Sequence, residues 1–256
     1  SHRVCAFDMR GHGQTLENSN DAEQYWRDIA PITVALEMRR PIIIGHSSEA
    51  YAAVAHVASG GAAAAVVCVD GFTLDPPDAA DTAQTQDQDG MSRMLFEKFR
   101  YGWRATPRER DAYVEQVVDA AASDPLNVDV EPGLLRAMLG RCFIERDGTV
   151  LRRPTLEEIE TISAPPHNAR IGPYRAVYDQ IDVPLLLVWA ERGLSADRRR
   201  DLESIAAAGM NRTLISFLVL GAFTACGGPG AEPVAPEAPG EPGVPPPLPT
   251  ADPGPT

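Results

Sequence analysis

Apolar residues in this chain gather in short unbroken runs, separated by stretches where they recur every three or four positions. Ile42-Ile43-Ile44, Ala62 to Val69 and Val183 to Trp189 are runs of the kind that form strands buried on both faces of a parallel sheet. His2 to Asp8 also reads as a strand, running into Met9-Arg10-Gly11-His12-Gly13. Between the runs, Tyr25, Ile29, Ile32 and Leu36 keep helical spacing. They predict a helix capped at Asn20 or Asp21 and reaching Met38, with Pro31 kinking it or delaying its start. From Glu49 the chain is rich in alanine and should stay helical until Gly60-Gly61. A third helix is expected over Ala196–Ala208, capped by Ser195 and ended by Gly209.

From Phe72 to Asp182 no strand-like run is evident. Helical periodicity occurs at Met91–Trp103, Pro107–Ala122, Glu131–Arg141 and Pro154–Ile162, after an acidic, Gln-rich segment, Asp78 to Gly90, expected to be a mobile loop. Strands alternating with helices predict an α/β chain, a doubly wound and mostly parallel sheet with a helical insertion.

Two stretches carry chemistry. Gly45-His46-Ser47-Ser48 turns sharply between a strand and a helix, which would hold the Ser47 hydroxyl at the apex of the turn and aim a helix N-terminus at it. This stretch resembles the G-x-S-x-G nucleophile elbow of the α/β-hydrolase superfamily, with Glu49 in the place of the second glycine. Asp8-x-Arg10-Gly11-His12-Gly13 resembles the D-x-R-G-H-G loop of the same superfamily, in which the histidine is structural. The resemblance covers about residues 2–209. It implies a core made of residues 1–72 and 183–226, a helical cap over residues 73–182, and a sheet that lacks its N-terminal strands.

The resemblance further implies Ser47 as nucleophile and the backbone N–H of Ser48 as an oxyanion donor. The triad acid is missing after Val183–Trp189, where Ala190 and Gly193 occupy the matching positions. Asp70, after the preceding strand, is the first substitute, and Glu191 or Asp197 are others. No histidine follows His167, so the base of the family's final loop is absent. His46 should point away from Ser47, His56 should lie on the surface of the elbow helix, and His167 is the one histidine expected to be able to approach. The resemblance therefore implies a serine hydrolase for an ester-like or other small substrate, impaired in this chain. A non-catalytic binding domain on the same fold, or a truncated hydrolase without activity, are the other readings.

Composition narrows the partners. The net charge of −13 argues against nucleic acid and anionic membranes. No metal-ligand cluster and no dinucleotide or phosphate-binding motif occurs, so neither a metal nor a cofactor is implied. Cys5 and Cys68 lie in apolar runs and are expected to be buried thiols in a reducing, cytoplasmic protein.

The end of the chain reads differently. Met210-Asn211-Arg212, the apolar Thr213–Phe223 and Thr224-Ala225-Cys226 resemble a bacterial lipoprotein leader with its lipobox. Residues 227–256 hold eleven Pro and six Gly and are expected to be a disordered linker. On this reading two segments are joined near Gly209-Met210, and a membrane enters only if Cys226 were lipidated. The alternative is an ordinary last strand followed by a Pro-rich tail.

Overall fold

A computed structural model describes residues 2–74, 99–124, 127–163, 171, 174–191, 196–209 and 211–217. Its main sheet has four parallel strands: β1 (Ile42–His46), β2 (Ala65–Val69), β6 (Leu185–Ala190) and β7 (Arg212–Phe217), in that spatial order. Ile43 pairs with Val66, Val66 with Leu185, and Leu185 with Arg212, so all four carboxyl ends lie at one edge. The run at Thr213 thus begins as a strand, and its residues beyond Phe217 lie outside the described ones, with Asp78–Gly90, His167 and Cys226.

The sheet's two faces differ. Val66, Cys68, Leu185, Leu187 and Trp189 point into a buried core, joined there by Ile43 and Leu214. Helix α3 (Ser48–Ala58) lies on that core with Ala50, Ala52, Ala53, Val54, Ala55 and Val57 all buried, since alanines let it approach the strands closely. Gly60, at φ +93°, ends it in the left-handed conformation that glycine adopts without strain. On the opposite face Ile42, Ile44 and Ile215 are 56%, 68% and 48% exposed, and Val67, Val69, Leu186 and Val188 are only partly covered. The isoleucine run is therefore not buried on both faces as its composition implied.

Residues 2–8 do not form the expected strand. They are extended and mostly exposed, Val4 at 86%, and Cys5 is exposed where a buried thiol was expected. A strand persists only where its backbone groups find partners, and among the described residues none pairs with this segment. It is anchored instead by side chains, Arg3 donating to the Leu36 carbonyl and Asp8, at its end, pairing with Arg141. The expected helix up to Met38 is broken into α1 (Gln24–Arg27) and α2 (Ile29–Ala35), Pro31 falling in the first turn of the second, where its missing N–H costs nothing. The expected side-chain cap is absent: Glu23 is the N-cap of α1 without a side-chain bond, and Asp21 closes the turn before it, accepting from Glu23 N at 2.8 Å.

The insertion between β2 and β6 has its own core and is not purely helical. Helices α4 (Pro107–Ala120), α5 (Pro132–Arg141) and α6 (Leu156–Ser163) fall where periodicity placed them. Each starts at a side-chain cap: the Thr106–Glu109 box, Glu131 accepting from Leu134 N at 2.7 Å, and the Thr155–Glu158 box. Between them runs an antiparallel sheet in the order β3 (Arg104–Ala105), β5 (Thr149–Arg152), β4 (Phe143–Arg146). Asp147 and Gly148, at φ +51° and +74°, make the tight β4–β5 turn. Tyr113, Val117, Leu135, Leu139, Phe143 and Val150 close this second core. The last helix, α7 (Arg199–Ala207), buries Leu202 and Ile205 in the first.

Candidate active site

β1 delivers Ser47 to the carboxyl edge of the main sheet, and α3 begins at the next residue. Ser47 has φ +54° and ψ −124°, a conformation that costs a serine free energy and is kept only when its surroundings impose it. The imposing contacts are on both sides. Ser47 N donates to Val69 O at 3.1 Å, and Ala50 N donates to Ser47 O at 3.0 Å. A Cβ on Gly45 would sit 2.5 Å from Ala50 N and closer still to the Glu49 carbonyl; one on Gly71 would sit 2.5 Å from Ser47 Cα. The close strand–helix approach thus depends on Gly45 and Gly71, and Glu49 in the second-glycine position does not prevent it. Gly71 went unassigned in the sequence; its signal was its place directly after Asp70 at the end of an apolar run.

A serine just before a helix ordinarily caps it through its hydroxyl. Ser47 makes no such bond, and its side chain is exposed. Its hydroxyl is thereby held out at the positive end of α3. Ser48 is the first residue of that helix, where backbone N–H groups have no intrahelical acceptor. Its hydroxyl donates to Glu49 Oε2 at 3.1 Å.

Asp70 follows β2, one position beyond the residue paired with His46. It too has positive φ, +41°, and its backbone N–H donates to Val188 O at 2.8 Å. Its Oδ1 is buried without a hydrogen-bond partner. Burial pushes the carboxyl pKa up, against the pull of the Ala190 backbone and the charge of His46. Burial also lowers the pKa of His46, while Glu49 and Asp70 work the other way. Nucleophile-like serine and half-buried carboxylate therefore stand on adjacent strand ends. Glu191 is half-buried just past β6, on the next strand end, and Asp197 is exposed.

Two other histidines, His12 and His56, are accounted for by local contacts. His12 Nδ1 lies 2.9 Å from the Arg10 carbonyl within the Asp8–Gly13 loop, in keeping with the structural role expected of it. That loop is tied down by Asp8, which accepts from Gln14 N at 3.0 Å, and by the Arg10–Asp28 pair at 2.5 Å. His56 is 2% exposed, not on the surface. Its ring packs on Gly61, at the far end of α3, about 13 Å along the helix from Ser47 by helical rise. Among the described residues no group of three or more metal-ligating side chains occurs, and no helix is long and apolar enough to cross a membrane.

No protein-family profile matches the chain. A curated relative, the non-heme chloroperoxidase of Streptomyces lividans, is 34% identical over 104 residues, 39% of this chain and 36% of that protein. The chain thus matches little more than a third of that relative's length. Solved structures agree over more of the molecule. An α/β hydrolase from Novosphingobium aromaticivorans superposes with a TM-score of 0.57 and 17% identity, covering 84% of this chain and 71% of that one. The thioesterase domain from the curacin biosynthetic pathway gives 0.55 and 16%, covering 83% and 72%. An esterase from Mycobacterium tuberculosis gives 0.55 and 15%, covering 87% and 69%. At these identities the likeness establishes a shared fold.

Proposed function

We propose that this chain, which has the α/β-hydrolase fold, is a serine hydrolase for ester-like or other small substrates and works below the rate of a complete triad. The observation that supports this most is Ser47: a strained, exposed serine at the start of a helix, whose hydroxyl is not used as the cap. The names of the relatives, an esterase, a thioesterase and a chloroperoxidase, fit small acyl chemistry. In this reading Ser47 Oγ attacks the substrate carbonyl carbon and its proton passes to a base. The carbonyl electron pair moves onto oxygen, where the Ser48 N–H stabilises it. The leaving oxygen departs with the proton, and water then releases the acyl group. Asp70, with a buried oxygen lacking a partner, is the carboxylate suited to orient the base.

The base is the weak point. Among the described residues, His12 is engaged by the Arg10 carbonyl and His56 is buried far along α3. His46 is the histidine whose charge Asp70 feels, and it is the immediate chain neighbour of the nucleophile. The inserted subdomain, which touches the Asp8–Gly13 loop through Arg141–Asp8 at 3.0 Å and Gln14 Nε2 donating to Phe143 O at 3.0 Å, would serve as the cap that shapes the substrate. The lack of an evident base among the described residues also supports a second reading, a non-catalytic binding domain on the same fold.

Fluorophosphonate labelling of the full chain, read by peptide mass spectrometry, separates the two. Labelling of Ser47 that vanishes in Ser47→Ala and falls by about 100-fold or more in Asp70→Asn is the expected result. A folded protein that takes no label at Ser47 would overturn the hydrolase reading and leave the binding domain.

A further inference from the structure

The antiparallel sheet of the insertion turns Ala105, Phe143 and Val150 into its core and presents its other face outward. On that face Arg104, Leu151 and Ile144 lie side by side across the three strands, and Arg146 sits opposite Thr149 in the next row. These five residues line a cleft of about 150 Å³. Leu151 and Ile144 form a half-buried apolar floor, and the exposed Arg104 and Arg146 rise from the two outer strands. Several arginines elsewhere are tied to carboxylates, as in Arg136–Glu115 at 2.7 Å and Arg199–Glu203 at 2.7 Å. Among the described residues neither Arg104 nor Arg146 has an ion-pair or hydrogen-bond partner. In a chain of net charge −13, two unneutralised guanidinium groups flanking a small apolar floor are complementary to one kind of ligand.

We propose that this cleft binds a small organic carboxylate with an apolar body, its carboxylate held between Arg104 and Arg146 and its body resting on Leu151 and Ile144. Guanidinium groups offer planar, two-pronged donors that match a carboxylate. The cleft volume is that of a cavity able to take one benzene ring, so the body is about that size. All five lining residues belong to the insertion, and none is among the residues around Ser47.

Benzoate is the probe. Methyl NMR signals of Ile144 and Leu151 in the full chain report this cleft and not the strand ends around Ser47. Expected are saturable shifts with benzoate, and binding at least about 10-fold weaker for benzyl alcohol, which keeps the body, and for inorganic phosphate, which keeps the charge. Arg104→Gln/Arg146→Gln should weaken benzoate about 10-fold and leave benzyl alcohol unchanged. Added NaCl, which needs no variant, should weaken benzoate and leave benzyl alcohol unchanged. Equal affinity for benzyl alcohol, an unchanged double variant, insensitivity to salt, or no saturable shift would each overturn the proposal.

Discussion

Replacing Gly45 by alanine tests the argument about how the elbow is held. The added methyl would lie 2.5 Å from Ala50 N and nearer still to the Glu49 carbonyl, whereas ordinary contact needs about 3.5 Å, so β1 and α3 must separate by more than about 1 Å. The obstructing atoms are backbone, at the start of a helix whose other residues are packed in the core, and no side chain can rotate away. Overpacking of this kind costs about 1–3 kcal/mol. A displacement of about 1 Å at a reacting group can cost about 100-fold in rate. Gly140, inside α5 with nothing within 4 Å of an added Cβ, is the control. Gly140→Ala should gain about 0.5–1 kcal/mol from helix propensity alone. Urea unfolding of both variants supplies the stabilities, and fluorophosphonate labelling supplies the reactivity of Ser47. A Gly45→Ala protein as stable as the wild type, labelled at the same rate, would refute the claim that this glycine sets the strand–helix approach.

Burial lowers the pKa of His56, so the unfolded chain binds its proton more readily than the folded one. Stability should be full above about pH 6.5 and fall as pH drops towards the folded value, and His56→Asn should flatten that slope in urea titrations at several pH values, leaving the part due to His46. The Arg153–Glu158 pair, 2.6 Å apart and 3% and 7% exposed, leaves a buried cation if broken. Glu158→Ala should cost about 3–5 kcal/mol in the same assay. Gly148→Ala meets nothing within 4 Å, so its cost, about 1 kcal/mol, should come only from the left-handed backbone at φ +74°.

Most of the main sheet was legible because its signals are local. Val66 and Cys68, or Leu185 and Leu187, read as buried strand residues wherever their neighbours fall, and Gly45-His46-Ser47 announces a turn between strand and helix by composition. What failed depends on partners far along the chain. His2 to Asp8 has strand composition but pairs with no strand among the described residues, and Ile42 and Ile44 look as buried as Val66 until the layer against them is known. His56 was misplaced because its burial is set by the α3 packing and by Gly61, not by its neighbours in the helix. The insertion's hairpin was there to be read: Asp147-Gly148 between Phe143-Ile144 and Val150-Leu151 is a strong hairpin signal, outweighed by the helical periodicity around it. Asp70 was reached only through a family resemblance. Its buried, partnerless oxygen is a property of the folded strand ends and leaves no trace in the sequence.

The bare face of the main sheet has a consequence for how copies of the chain behave towards one another in solution. Ile42, Ile44 and Ile215 offer water an apolar surface that would gain by meeting another like it. What holds two copies apart is mutual repulsion, since each carries a net charge of −13. That repulsion reaches roughly 10 Å at 0.1 M salt and about 3 Å at 1 M. Attraction between aliphatic faces does not fade with ionic strength in this way, and excluded salts such as sulfate strengthen it. The expected outcome is a chain that stays dispersed in dilute buffer and self-associates in concentrated sulfate.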